Sequence, residues 1–239
     1  MDKNLLNKIQ KHAIHLDWDI AFAGKSKGNK HLFRVNKLAK QLLDKEGGNE
    51  FIILAAAWLH DSDLIVSKDH HLAAKKLVCE DFLGSLGLSP IKIKKIVHCI
   101  RSHDGIIEAE SKEAQIVHDA DTLDKGGPLG IIRHTWKLVH LNPNITLNEI
   151  LAILPKHLSE RKENLHTKTA KNIADKNSKI LSELLKSKDF PDIIENIMDL
   201  AKQDLITEQI ARQICMIFSQ NMSIQKLKEQ LEAKNGRII

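Results

Sequence analysis

Apolar residues along this chain recur at spacings of three and four, and no stretch alternates with period two for long enough to make a strand. Leu32, Val35, Leu38, Ala39, Leu42 and Leu43 fall on one helical face, and Gly47-Gly48 closes that helix in the usual C-terminal position. Residues 50–60, EFIILAAAWLH, are apolar almost throughout but fall short of the ~18 residues of a membrane span. They read as a buried central helix that delivers His60 and Asp61 at its C-terminal end. Ser89-Pro90 reads as N-cap and first residue of a helix carrying Ile91, Ile93, Ile96, Val97 and Ile100 and ending near His103. Aromatic residues make up only 4% of the chain and tyrosine is absent, so the helical faces must be aliphatic. An all-α fold is expected.

Further helices are expected at 4–16, at about 68–86, and over 111–127, 128–141 and 145–154, with a Gly/Lys-rich loop at 24–30. Past residue 160 the chain changes character. A long Lys-rich amphipathic helix spans KENLHTKTAKNIADKNSKILSELLKS, and Pro191 opens another with Ile193, Ile194, Ile197 and Leu200. Residues 205–239 carry Ile206, Ile210, Ile214 and Ile217, then Ile224, Leu227 and Leu231, which suits a helical hairpin or a partner-binding helix. The expected division is a domain at 1–188 and a C-terminal helical extension at 189–239, the latter a candidate contact between copies of the chain.

A net charge of +5 comes from lysines scattered along helices, which gives little ground for a nucleic-acid partner. Cys79, Cys99 and Cys215 are odd in number and far apart, neither a disulfide framework nor a zinc knuckle. With no membrane-length apolar run and no signal-peptide core at the N-terminus, a cytoplasmic location is expected.

Histidine is the exception in this ordinary composition. The chain has 13, most of them before residue 140 in segments that otherwise read as amphipathic helices. Four positions stand out: His31 in H-L-F-R-V, the adjacent pair His60-Asp61, and Asp121 in H-D-A-D-T-L-D. Imidazoles and carboxylates from three helices are donors that suit a borderline or hard divalent metal. Neighbouring helical residues point about 100° apart, so His60 and Asp61 can reach one ion only at a helix end or bend, as here.

In order, H-x-x-R-V, then L-H-D, then A-D-x-L-D, the set resembles the HD-domain metal-dependent phosphohydrolase superfamily, with its H…HD…D signature on an all-helical scaffold. The resemblance covers roughly residues 12–140 and continues faintly over 165–185, like the small bacterial HD hydrolases with a D-A-D-x-L-D pattern. It implies an HD-domain-like helical bundle in which His31, His60, Asp61 and Asp121 are metal ligands, Asp121 being chosen over Asp119 because the family's last ligand sits in A-D-x-L. Asp119 and Asp124 become candidates for orienting ligating imidazoles. The family's two-metal members place extra histidines between the HD pair and the last Asp; here His103 is preferred to His98, and His71 to His70. The same two histidines, His71 and His103, would in single-metal members contact phosphate or protonate a leaving group.

The implied cofactor is a divalent ion (Mn, Fe, Co, Mg or Ni), one or two per chain. The implied activity is hydrolysis of a phosphate ester or nucleotide by a metal-activated water, with Asp61 or Asp121 orienting the water and His103 serving proton transfer. Arg34 and Lys125 are the main candidates to cradle phosphate. Two alternatives stay open: a di-iron oxygenase on the same fold, needing both His71 and His103, and a nucleotide-sensing module without turnover.

Overall fold

The computed structural model describes residues 3–16, 31–62 and 73–220. Eleven helices run through them and no strand occurs among them. Expectations for the loop at 24–30, for His70 and His71, and for Ile224, Leu227 and Leu231 lie outside the described residues.

The chain divides into two compact units. One comprises the described residues of Met1–Asp124 with Asn164–Asn172; the other comprises those of Lys125–Glu163 and Ile173–Ile239. The apolar faces after residue 189 are buried together with those of residues 129–158.

The first unit is built around α3 (Glu50–Leu59), in which every residue from Ile52 to Leu59 is buried. A helix apolar on all sides can be satisfied only from all sides. Here α1 (Lys3–Ile14), α2 (His31–Glu46), α5 (Pro90–Arg101) and α6 (Lys112–Asp124) pack against it, with α4 (Ala73–Ser85) against α5. Asn49 fixes where α3 begins, its side chain accepting from the Ile52 N–H at 3.2 Å. Gly47 and Gly48 make the turn between α2 and α3 at φ +75° and +119°, the left-handed region where a side chain is strained. Ser89 and Pro90 stand at the N-cap and first position of α5.

The second unit packs α7 (Gly127–Leu141), α8 (Leu147–Glu163), α10 (Phe190–Lys202) and α11 (Glu208–Gln220) around Ile131, Ile132, Ile150, Leu154, Ile194, Ile197 and Ile214. α9 (Lys168–Lys186) belongs to the first unit up to Asn172 and to the second beyond it. Two boundaries differ from the sequence expectation. α8 does not stop at 154 but continues through Pro155, because Ile150, Leu154 and Leu158 stay buried on one face; a missing backbone bond is tolerated where packing holds the helix. The Lys-rich helix begins only at Lys168, after a turn at 164–167 that is tied to the first unit.

Gly130 shows how close the α7 approach is. A Cβ there would collide with the Lys125 carbonyl and lie 3.0 Å from Leu158 Cδ2. Gly130→Ala is expected to destabilise the protein by about 1–3 kcal/mol, an overpacking cost visible in denaturant unfolding. An unchanged unfolding midpoint would contradict this packing.

In the second unit His134 and His157 stack with ring centroids 3.6 Å apart and planes 16° from parallel. Burial, then Arg161 and Lys137, lowers His134 to about 4. Burial, then Arg161, His134, Lys137 and Lys125, lowers His157 to about 3. Unfolded histidines take protons below about 6.5 while these two refuse them, so the unfolded state binds more protons in that window. Their contribution to stability is thus complete above about pH 6.5 and is lost as the pH falls toward 4 and 3. Unfolding midpoints measured from pH 7.5 to 4 should decline, and less steeply in His157→Gln; equal slopes would refute it.

Candidate metal centre

The site lies entirely in the first unit, and three helices supply it. His31 is the first described residue of α2, His60 caps the C-terminus of α3 with Asp61 in the following turn, and Asp121 lies on the last turn of α6. The abrupt end of α3 lets two successive side chains share one centre.

His31 Nε2 and His60 Nε2 approach to 3.1 Å. Asp121 Oδ1 lies 3.2 Å from the first and 3.5 Å from the second, and Asp61 Oδ2 lies 3.4 and 3.5 Å from the same pair. His103 stands at the rim, its Nε2 3.6 Å from Asp61 Oδ1 and its ring centroid 5.1 Å from that of His60. The structure thus brings together His31, His60, Asp61, Asp121 and His103. His71 lies outside the described residues, and Lys125 opens the second unit and is described with it.

The other ring nitrogens decide what these atoms present. His60 Nδ1 donates to the Ala57 carbonyl at 2.9 Å, and His103 Nδ1 donates to the Ile100 carbonyl at 2.7 Å. His31 Nδ1 donates to Asp124 Oδ2 at 2.7 Å. Each imidazole spends its proton outward and turns an Nε2 lone pair inward, toward carboxylates that also carry only lone pairs. Atoms of one polarity so converged need a cation among them. First-row ions hold N and O donors at about 2.0–2.2 Å. Adjacent donors around such an ion stand about 3.0–3.5 Å apart, the spacing seen here, so the residues fit a divalent ion. Burial pushes the Asp61 carboxyl up, yet the His60, His103 and His31 imidazoles together hold it well below the usual carboxylate range.

Exposure ranks the donors. The His60 side chain is 0% exposed, Asp121 2%, His31 5% and His103 6%, against 18% for Asp61. Water and any reactant therefore meet the centre on its Asp61 side.

Arg34 faces the carboxylate of Asp124. Its Nε lies 2.6 Å from Asp124 Oδ1 and an Nη 3.1 Å from Oδ2, a fork closed on the carboxylate that holds His31. Asp124 touches the His31 imidazole of the converging set, whereas the two Asp119 oxygens accept the His166 and Thr167 backbone N–H groups at 2.8 and 2.7 Å, tying the turn before α9 to α6. His118 and His166 lie outside the HD pattern. With Asp119 they form a second group of donor atoms within 4.8 Å of one another, though His118 Nε2 already faces the Asn164 carbonyl at 3.1 Å.

Residues 29–126, which contain all five converging side chains, match the family described as HD domain. The chain belongs to the HD-domain family. Solved structures agree. The Lin1889 protein of Listeria innocua is 31% identical at a TM-score of 0.54, covering 66% of this chain and 83% of its own. An HD-superfamily hydrolase from Bacillus thuringiensis is 27% identical at a TM-score of 0.58, covering 78% and 97%. Bacillus subtilis YpgQ, at 21% identity and a TM-score of 0.62 over 77% and 93%, shares the fold. No curated protein matches the chain. The HD match and these neighbours support a metal-dependent hydrolase family.

Proposed function

We propose that this HD protein hydrolyses a phosphate ester, a nucleotide being the favoured class, at one divalent ion held by His31, His60, Asp61 and Asp121. The observation that carries the reading is the convergence of inward-facing Nε2 lone pairs and carboxylate oxygens whose outward partners fix them in place. A bound divalent ion would lower the pKa of a coordinated water from 15.7 toward about 7 and polarise a phosphoryl oxygen. Asp61, kept anionic and facing solvent, accepts a proton from the attacking water and so aligns it. His103, pinned through Nδ1, would act as general acid only after taking a proton from solvent on Nε2, which it then passes to the leaving group. Asp124 and Arg34 hold His31 rather than substrate. A nucleotide is favoured because YpgQ, which shares the fold, has been crystallised in complex with ADP.

No helix among the described residues is long and apolar enough to cross a membrane. The test is a screen of nucleotides and generic phosphoesters with manganese-, cobalt- or iron-loaded protein, reading released phosphate and pyrophosphate. Turnover by wild type and none by His60→Ala is expected. No release from any compound, or equal release by the variant, would overturn the proposal.

A further inference from the structure

His118, Asp119 and His166 gather a second set of donor atoms, in the first unit but sharing no residue with the metal centre. One nitrogen of each ring and one Asp119 oxygen lie within 4.8 Å of one another. The two rings meet edge to face with centroids 4.9 Å apart. Asp119 and Asp121 stand about 200° apart around α6, so the carboxylates of the two sets leave the helix on nearly opposite sides.

The chain itself fixes the tautomer of His118. Its Nε2 lies 3.1 Å from the Asn164 carbonyl, which can only accept, so Nε2 carries the proton; Thr122 Oγ1, at 3.5 Å, is the weaker contact. Nδ1 is then a lone pair. His118 is only 4% exposed, and this nitrogen has no hydrogen-bond partner among the described residues. Proteins seldom leave a buried acceptor bare, because its lost hydration goes uncompensated. Gly105 borders the same edge of the ring: a Cβ on it would meet Cε1 at 3.3 Å and Nδ1 at 3.9 Å and nothing else within 4 Å, which leaves open space beside the lone pair. Asp119 is fully buried and oriented by the His166 and Thr167 N–H groups, yet each of its oxygens keeps a second lone pair. An imidazole pinned through one nitrogen by a backbone carbonyl, beside a carboxylate steadied by hydrogen bonds, is how ligands of an ion are held in place.

We propose that His118 Nδ1, Asp119 and His166 bind a second divalent ion, zinc or another late first-row metal that suits imidazole, with water completing the coordination on the exposed His166 side. The His166 ring closes on the ion by rotation about its side-chain bonds. So bound, the ion clasps the turn at 164–167 to α6, reinforcing the two hydrogen bonds to Asp119. The site does not depend on the hydrolase reading.

The test titrates zinc into the full chain, counts bound metal per chain and follows the histidine ring resonances by NMR. Zinc is the probe because it outranks manganese at such donors. His166→Ala is expected to take up one ion fewer than wild type, with affinity at this site down about a hundredfold or more, since losing even an outer partner of a ligand costs 10–100-fold. The replaced side chain is exposed and the residue 166 N–H remains for Asp119, so the fold is kept. His118→Gln should lose the same ion; if it unfolds, His166→Ala decides alone. His60→Gln should still show the His118 and His166 signals moving with zinc, whether or not the first centre holds an ion. Zinc uptake unchanged by His166→Ala, or His118 and His166 resonances that stay fixed as zinc is added, would overturn the site.

Discussion

His60→Ala is expected to abolish phosphate release, a fall on the order of 10³-fold or more, because a water without its ion reverts from a pKa near 7 to 15.7. His60 is fully buried with Nδ1 held by the Ala57 carbonyl, so no neighbouring side chain can take its place. The cavity left by alanine has its own stability cost. His60→Gln, which keeps most of the volume, separates the two effects. A metal-dependent thermal shift completes the comparison. An ion bound only by the folded state stabilises it by about 2.7 kcal/mol at a concentration 100 times its dissociation constant. Manganese should therefore raise the wild-type midpoint and leave both His60 variants unmoved. An equal shift in all three proteins would place the ion elsewhere.

Asp124→Asn carries the second-largest effect. The substitution preserves shape but removes the charge that receives His31 Nδ1 at 2.7 Å and Arg34 Nε at 2.6 Å. An amide can turn its NH₂ toward either partner, so the His31 ring is no longer held to one tautomer. Losing such an outer partner typically costs 10–100-fold in metal affinity. Manganese affinity, measured by competition with a chelating dye, should fall by about that factor, while turnover at saturating metal falls less. The variant should also unfold more readily, since Arg34, only 16% exposed, is left beside a neutral group. Affinity equal to wild type would show that the Asp124 carboxylate does not position His31.

Much of this was legible without coordinates, for identifiable reasons. The α3 segment is apolar in every direction, so its burial and its place at the centre follow from composition alone. Its end at His60-Asp61 follows from the same run stopping, and two adjacent donors at a helix end are a local property. That Arg34 forks onto a carboxylate could not be read beforehand, because sequence order says nothing of what lies across a helix interface. Asp124 is 90 residues away, yet it closes the guanidinium fork. The role of Asp119 was hidden for the same reason, its partners being backbone N–H groups at 166 and 167, which no side-chain pattern reports.

The helices at 190–220 were likewise recognisable as amphipathic, but periodicity gives the width of an apolar face and not what covers it. Only packing decided that α10 and α11 share a core with α7 and α8.

The sequence by itself determined the helical class, the central helix and the donor types, because these depend on local spacing and hydropathy. The tertiary structure alone decided which imidazole nitrogen faces the centre, which carboxylate steadies which ring, and where one unit ends. Those are set by hydrogen bonds and buried contacts between residues tens of positions apart, whose energies depend on distances in space and leave no periodic mark along the chain.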